Sequence, residues 1–543
     1  MWRAGCWPAA CSAGRPTAPD SPSCRRSAGR SATARSAAGS EAWCCPATCS
    51  APSRPSTRSA VSSGAATPRR AAASRARTGC RSAPGPPCCD CEAYVSPLAD
   101  RLDHVAAEAA ARAGHWEILA VERDDTVVEV GSGVPDLVRS AHETALCLRV
   151  HLHGRVGTAT TTRLDDVRGL VGEAVRNAAH GPPASPDPVA GRNAALLAAE
   201  RPAPDQGTRS VRLLAERLGA LQRSAGLTVH GTVTRTEQAV HRAAPDRRTT
   251  TSDRFFHIAA LAEGTAVQLP WTGWTRTPEL PAALSAWLEA AAGWDGLPAA
   301  DAPSGDHDVL LAPSAVHTLL TPLVTALNGT AVTAGRSFVA GHLGEPFLHP
   351  SIGLRDHPSE PAAPDDPDDE GTGGLAWPGS DDDGVPCAPL TLVERGVPVR
   401  AYHSVRTAAA CGTAPTGHGF RGNALRRTVL KPATPVLNGA TLSAGSADVG
   451  SFDDLLAGVR EGVLVESLMG GHQRAGLSPV VEGRLRLGFL IRDGRVAGIL
   501  RQRPIALDLR EVLGRRFRAV SDRRWAVSRI WSGRMPFVLA GGT

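Results

Sequence analysis

The spacing of apolar residues predicts a helix at the start of the patterned part of the chain. Four apolar residues lie three or four positions apart and indicate an amphipathic helix that ends near Gly114: Leu98, Leu102, Val105 and Ala109. Alternating apolar and polar residues with glycine-centred turns follow at 115–133 and 143–162, which is typical of strands and a hairpin. A second helix is expected after Asp165 or Asp166, either of which can cap its first turn.

The later part of the chain is mostly strand-like. Residues 207–300 predict helix, strands and helix, and a buried strand followed by a helix is expected from Asp306 to Gly329. A hairpin should turn at Arg395-Gly396, and strands dominate from there to the end. One further helix is expected after Ser451, a plausible N-cap.

These patterns predict an α+β protein. It should have an N-terminal α/β domain, a middle α+β segment and a C-terminal domain dominated by a curved antiparallel sheet. A Pro-rich, polar linker is expected at 180–206. The expected divisions are a tail at 1–95 and domains at 96–205, 206–300 and 301–543.

The first 95 residues differ from the rest in composition. They are rich in Ala, Ser, Arg, Pro, Gly and Cys and have almost no Ile, Leu, Val or Phe, so they cannot bury enough apolar area to offset the entropy of the chain. We expect a disordered tail or a mis-assigned start. Its first 92 residues contain 13 Arg against four acids, whereas the whole chain has a net charge of +6. The excess of basic over acidic residues therefore lies in the tail, and a nucleic-acid partner is not expected.

No apolar run approaches the roughly 18 residues that a membrane span needs. A charged start followed by an apolar core is also missing, so a secretory signal is not visible. We expect a cytoplasmic protein without a membrane partner.

One constellation of possible metal ligands stands out. His342, Glu345 and His349 lie close together in the sequence, and Asp356 follows. Their spacing would suit one helix face, but the glycine and prolines among them disfavour a helix. We keep these four residues as candidates for a metal site.

Two other polar segments predict no site. The acidic stretch Asp356–Asp383 does not place its carboxylates in the register of a calcium loop, so we expect a solvated, mobile surface loop. His142-Glu143 begins like a zinc-protease HExxH, but position 146 is Leu and the segment runs into a strand. We expect a solvated pair there.

Three groups of residues between positions 336 and 419 form recognisable motifs. They are Arg336, Ser337, Phe338, Leu343, Gly344, Asp356 and Pro358; the turn Asp382, Asp383, Gly384 and Pro386; and the turn Thr416, Gly417, His418 and Gly419. These motifs resemble those of the TldD/PmbA family, once called modulators of DNA gyrase, whose better-studied members form a two-subunit metalloprotease. In the last turn His418 replaces the family's Asn. The resemblance extends over residues 96–543, including the hairpin at 148–162.

The zinc motif of that family is missing. The catalytic subunit has HExxxH on the helix after the first strand of its last domain and a Cys near its C-terminus. Here that helix has His317 alone, Pro322 is expected to interrupt it, and the C-terminal segment has no Cys. Three protein ligands are the minimum for a catalytic zinc. We therefore expect no catalytic residue and no cofactor in this chain.

The resemblance implies a non-catalytic subunit of the PmbA (TldE) type. Such a subunit pairs with a zinc-bearing TldD-like subunit that cleaves unfolded or modified peptides. Contacts to the peptide or partner are expected at the two motif turns, through Asp382, Asp383, Gly384, Thr416, Gly417 and Gly419. A tight structural turn is the other interpretation of 416–419. Two alternative functions stay open: an autonomous metallohydrolase that uses His342, Glu345 and His349, and a non-enzymatic scaffold or regulator.

Overall fold

The structure is a computed structural model. It describes residues 97–131, 134–183, 207–356, 380–422, 428–430, 433–437, 439–473, 478–528 and 531–542. The predicted tail, most of the predicted linker and the middle of the acidic segment lie outside these residues.

The described residues form helices and strands with the following bounds. The helices are α1 (Pro97–Arg112), α2 (Val167–Ala178), α3 (Thr208–Ala225), α4 (Ala282–Asp295), α5 (Pro313–Ala326), α6 (Gly329–Thr333), α7 (Val405–Cys411) and α8 (Phe452–Ala457). The strands are β1 (His115–Gly131), β2 (Val134–Leu152), β3 (Arg155–Thr161), β4 (Thr228–Ala244), β5 (Arg247–Glu263), β6 (Gln268–Thr275), β7 (Ala299–Ala300), β8 (Asp308–Leu311), β9 (Gly353–Asp356), β10 (Leu390–Glu394), β11 (Val397–Pro398), β12 (Gly419–Phe420), β13 (Thr434–Pro435), β14 (Ala440–Ser443), β15 (Val449–Gly450), β16 (Glu461–Gln473), β17 (Val480–Arg492), β18 (Arg495–Leu500), β19 (Pro504–Asp508), β20 (Phe517–Ser528) and β21 (Ser532–Ala540).

The first six strands make one antiparallel sheet in the order β3-β2-β1-β4-β5-β6. Its centre is β1, which pairs with β2 on one side and with β4 on the other. The sheet therefore continues across the predicted boundary between 96–205 and 206–300. The domain boundaries themselves stay a prediction.

The two faces of this sheet pack differently, because successive residues of a strand point to opposite sides. Trp116 and Ile118 of β1 pack with α1 and α2 in one core. Leu119 and Val121, on the opposite face, pack with Val429 from the C-terminal part of the chain. That second face is the one that contributes to the site below.

The C-terminal part forms a 13-stranded sheet that is mostly antiparallel. Its main path runs β11-β10-β9-β14-β21-β8-β16-β17-β18-β7. Parallel pairs interrupt it at β8 with β16, β14 with β21, β15 with β20 and β7 with β18. The predicted α+β class with a curved, largely antiparallel C-terminal sheet is confirmed.

The predicted caps and one predicted turn are confirmed as well. The Asp166 carboxylate accepts a hydrogen bond from the backbone N–H of Gly169 at the start of α2. Ser451 caps α8 in a reciprocal arrangement with Asp454. The β10–β11 hairpin turns at Arg395-Gly396, where both residues have positive φ.

One helix prediction was wrong. Helix α5 continues through Pro322, which was expected to interrupt it. The helix is buried on almost every side, and Pro322 itself is buried, so packing in the core outweighs the loss of one backbone hydrogen bond. In the residues that the structure describes, no helix is long and apolar enough to cross a membrane.

Candidate functional site

The turn that begins at Asp381 is folded around the Asp381 carboxylate. Oδ1 accepts from the backbone N–H groups of Asp383, at 3.0 Å, and Val385, at 2.9 Å. Oδ2 accepts from the N–H of Gly419 at 2.7 Å, which ties this turn to the turn at 416–419. Gly384 has a φ of +80°, a conformation that glycine adopts without strain.

The prediction of a solvated acidic loop was wrong for its two described ends. Asp356, Asp381 and Asp382 are buried. Burial, reinforced by the nearby Asp383 charge, raises the pKa of Asp381 well above its usual range. Composition alone suggested water as the partner of these carboxylates, whereas backbone N–H groups and arginines from distant strands take that place.

Two arginines from the six-stranded sheet reach the aspartates of this turn. Arg149 of β2 donates from Nη2 to Oδ1 of Asp383 at 2.6 Å. Arg242 of β4 places its Nη2 3.4 Å from Oδ1 of Asp382, whose other oxygen accepts from the backbone N–H of Arg421 at 2.7 Å. The two ion pairs hold the turn against the sheet face opposite α1 and α2.

Arg149 also pairs within its own sheet. Its Nη1 lies 3.2 Å from Oε2 of Glu117, the residue directly across from it on β1. His115 and His151 form the next cross-strand pair, and their rings meet edge to face with centroids 4.6 Å apart. Because residues two apart on a strand share a face, all four side chains lie on one side of the sheet.

The close packing of His115, Glu117, Arg149 and His151 shifts the pKa values of Glu117 and His115. Burial acts to raise the pKa of Glu117, but His115, His151 and Arg149 outweigh it and hold that pKa well below its usual range. The Glu117 carboxylate in turn raises the pKa of His115. The ligand atoms of His115, Glu117 and His151 lie within 4.8 Å of one another, an arrangement that can hold a metal ion.

Sequence analysis missed this cluster. The signal was present as a two-residue spacing on both arms of the predicted hairpin, His115 with Glu117 and Arg149 with His151. Such pairs gain meaning only when the register of the two strands is known.

The turn Thr416–Gly419 is packed inside the chain. Gly417 has a φ of +76°, and a Cβ there would lie 2.3 Å from the carbonyl oxygen of Pro386. The ring of His418 is fully buried, with Nε2 3.0 Å from Oδ2 of Asp356 and Nδ1 2.8 Å from the carbonyl oxygen of Thr416. Of the two interpretations, the local geometry is that of a tight structural turn; contact with a peptide stays a prediction.

The same holds for the predicted contact residues of the acidic turn. Asp382 and Asp383 point to Arg242 and Arg149, so their carboxylates are engaged within the chain. The N–H of Gly419 is taken by Asp381. A peptide or partner would therefore have to meet other groups of these turns.

His403 lies beside the Thr416 turn and predicts a pH dependence. Its side chain is buried, and Nδ1 has no hydrogen-bond partner among the described residues. Burial first, and then the His418 charge, lower its pKa from 6.5. The unfolded chain then binds more protons than the folded one below pH 6.5, so stability is full above that pH and falls as the pH drops towards the folded pKa.

We therefore expect His403→Gln to flatten the fall in unfolding free energy between pH 7.5 and pH 5. The change should be about 1.4 kcal/mol for each unit by which the pKa is lowered. Urea unfolding at the two pH values measures it, with exposed His142→Gln as the control. His241, whose pKa burial also lowers, should keep part of the slope. An unchanged slope in His403→Gln would contradict the assignment.

The four residues kept from the sequence as candidates for a metal site do not share one environment. His342 and Glu345 form an exposed pair, with Nδ1 2.8 Å from Oε2. The His349 ring packs against Phe517. Asp356 is buried against His418 and the backbone N–H of Gly439.

The residues at the position of the family's zinc motif do not fit a zinc ion. His317 of α5 is buried and stacked on Trp531, with ring centroids 4.1 Å apart. Its Nε2 lies 3.0 Å from the carbonyl oxygen of Trp531. A carbonyl only accepts, so Nε2 carries the proton and only Nδ1 could bind an ion. A single imidazole nitrogen cannot hold a catalytic zinc, which needs three protein ligands. Around it on the helix lie the apolar residues Val316 and Leu320, and the hydroxyls of Thr318 and Thr321 donate to carbonyl oxygens of the helix itself.

Two family models match the chain over the regions just described. Residues 304–540 match the PmbA/TldA metallopeptidase C-terminal domain, and residues 116–178 match the PmbA/TldA metallopeptidase domain 1. The fold and the motif turns thus define a protein of a metallopeptidase family. The chain belongs to the TldD/PmbA family.

Individual relatives agree with this placement. The fold is similar to that of TldE from Thermococcus kodakarensis, with a TM-score of 0.64, 16% identity and coverage of 82% of this chain and 99% of that one. It is also similar to a putative modulator of DNA gyrase from Thermotoga maritima, with a TM-score of 0.60, 20% identity and coverage of 82% and 99%. At these identities the likeness concerns the fold alone.

A curated relative is similar in sequence over a shorter region. It is a metalloprotease from Methanothermobacter thermautotrophicus, 26% identical over 202 residues. The match covers 37% of this chain and 40% of that protein's length.

Proposed function

We propose that this chain is the non-catalytic, TldE-type subunit of a heteromeric zinc metalloprotease that acts on unfolded or modified peptides in the cytoplasm. Zinc and the hydrolytic step belong to a TldD-like partner. The proposal follows from family membership together with the chemistry of α5.

The observation that carries the proposal is the state of His317. A zinc protease of this kind needs two helical His ligands, a Glu that acts as general base and a third ligand. Helix α5 offers one His, whose Nε2–H is directed at the Trp531 carbonyl, and no carboxylate. Neither the activated water nor a base to deprotonate it can be assigned to this helix.

The role left to the chain is to complete the chamber and hold the peptide. Strand β16 supports this role, because its pairing with β8 ends at Val465 while the strand continues to Gln473. Beyond Val465, among the described residues, β16 pairs with β17 on one side only. An extended peptide can add to such an edge through main-chain hydrogen bonds.

The test is co-expression with the TldD-like protein of the same organism, followed by size-exclusion chromatography and cleavage of an unstructured peptide. We expect a stable complex, cleavage by the complex, and loss of cleavage when a chelator removes the partner's zinc. The chain alone should not cleave. The matched control replaces the Glu of the partner's HExxxH with Gln, which should abolish cleavage without dissociating the complex.

Other outcomes favour the alternatives. Chelator-sensitive cleavage by the isolated chain would overturn the proposal and favour an autonomous metallohydrolase. A complex that shows no cleavage, although the partner holds zinc, would favour a scaffold or regulator.

A further inference from the structure

The group formed by His115, Glu117 and His151 has the composition of a metal site. Two imidazoles and one carboxylate are a common ligand set for divalent transition metals. All three residues are partly buried and lie on the paired strands β1 and β2. The group lies on the N-terminal sheet, whereas the family's zinc motif would lie on α5.

The distances fit an ion better than they fit direct hydrogen bonds. Oε1 of Glu117 lies 3.6 Å from Nε2 of His115 and 3.7 Å from Nε2 of His151. These separations are too long for good hydrogen bonds. Donor atoms bound to a tetrahedral ion with bonds of about 2.0–2.1 Å are separated by roughly 3.3 Å, so a small movement would close the site.

The two histidine nitrogens that face the carboxylate make no hydrogen bond within the described residues. Nε2 of His115 and Nε2 of His151 are inaccessible to solvent and have no hydrogen-bond partner in the described part of the chain. Buried polar atoms without partners are uncommon and call for an explanation such as an ion.

The charges nearby also permit a cation. Arg149 contacts Oε2 of Glu117 and is paired on its other side with Asp383. The two carboxylates and one guanidinium leave a net charge of about −1 next to the histidines. Arg149 occupies Oε2, so it orients the carboxylate and leaves Oε1 directed at the two Nε2 atoms.

We propose that His115, Glu117 and His151 bind one divalent transition-metal ion, Zn²⁺ or an ion of similar preference, between β1 and β2. The side chains are 18–27% exposed, so the site lies close to the surface of the sheet. This site goes beyond the proposed function and differs from the expectation that the chain holds no metal. The ion would link the ends of β1 and β2, next to the ion pair between Arg149 and Asp383.

The test measures zinc bound to the full-length chain after metal removal and dialysis against limiting Zn²⁺. We compare the wild type with His151→Asn and with Glu117→Gln. Each change should remove one ion per chain or weaken binding more than about tenfold, because altering a residue that merely orients a ligand already costs about 10–100-fold. His151→Asn leaves Arg149 and Asp383 in place, so it tests the ligand without breaking their ion pair.

The matched control is His142→Asn on the same strand, an exposed histidine paired with Asp124. It should bind zinc like the wild type. The cysteines of the tail are the same in all variants, so any metal they hold cancels in the comparison. Circular dichroism verifies that each variant is folded.

Two further readouts do not depend on stoichiometry. Zn²⁺ should raise the melting temperature of the wild type and of His142→Asn, but not that of His151→Asn. Co²⁺ should give a visible spectrum typical of nitrogen and oxygen ligands, lost in His151→Asn. Equal zinc binding in wild type and His151→Asn, absence of binding to the wild type, or a cobalt–thiolate band that persists in His151→Asn would overturn the proposal.

Discussion

Replacing Arg149 with Met should lower the free energy of unfolding by about 3 kcal/mol. The guanidinium pairs with Asp383, whose side chain is 6% exposed, and with Glu117. Its removal leaves two carboxylates that have lost their shared counter-charge, and breaking a buried ion pair from one side costs about 3–5 kcal/mol. We expect the lower end, because Glu117 and Arg149 keep some contact with water.

The control is Arg139→Met on the same strand. Arg139 also pairs with a glutamate of β1, Glu129, but its side chain is 61% exposed. That change should cost less than about 1 kcal/mol. Chemical unfolding of the metal-free proteins measures both values. A similar small loss in both variants would show that the Arg149 pairs contribute no more than surface pairs.

Replacing His418 with Leu should have a comparable or larger effect, about 3–5 kcal/mol. His418 and Asp356 have fully buried side chains, and Nε2 lies 3.0 Å from Oδ2. Leucine would leave the Asp356 carboxylate with the backbone N–H of Gly439 as its remaining described partner. A buried charge without its main partner is strongly destabilising.

His418→Gln separates the hydrogen bond from the shape of the side chain. Glutamine is long enough to place its amide nitrogen near the position of Nε2, from which it can donate to Asp356. We expect it to recover at least half of the stability that leucine loses. His342→Leu, at an exposed histidine, should change stability by less than about 0.5 kcal/mol. If Leu and Gln at position 418 are equally destabilising, packing rather than the hydrogen bond holds this turn.

Local features of the fold could be predicted from the sequence because neighbouring residues determine them. The helical spacing from Leu98 to Ala109 and the caps at Asp166 and Ser451 depend on interactions within a few residues. The hairpin turn at Arg395-Gly396 likewise requires only a local backbone conformation.

The predictions that were wrong concern features that depend on residues far away in the sequence. Asp382 and Asp383 pair with Arg242 and Arg149, which lie more than a hundred residues earlier, and Asp381 accepts from the backbone of the 416–419 turn. Composition assigns such a segment to water, since it contains no information about those arginines. The persistence of α5 through Pro322 is likewise decided by the core around the helix.

The candidate site was predictable only in part. Motif residues indicated the two turns but not that they meet, which depends on the bond from Gly419 to Asp381. The missing HExxxH led to the prediction that α5 holds no zinc. The group of His115, Glu117 and His151 required the β1–β2 register, which places His115 opposite His151 and Glu117 opposite Arg149. Alternation alone predicts the two strands, whereas a shift of one residue would put these groups on opposite faces.

The central position of β1 has a consequence for work with fragments. A fragment that stops before β4 would present the whole partner-less edge of β1 to water, and long bare edges of this kind recruit other chains. Expressing residues 97–183 alone should therefore give aggregates or edge-paired oligomers. A fragment that keeps β4–β6 leaves β1 with both of its neighbouring strands.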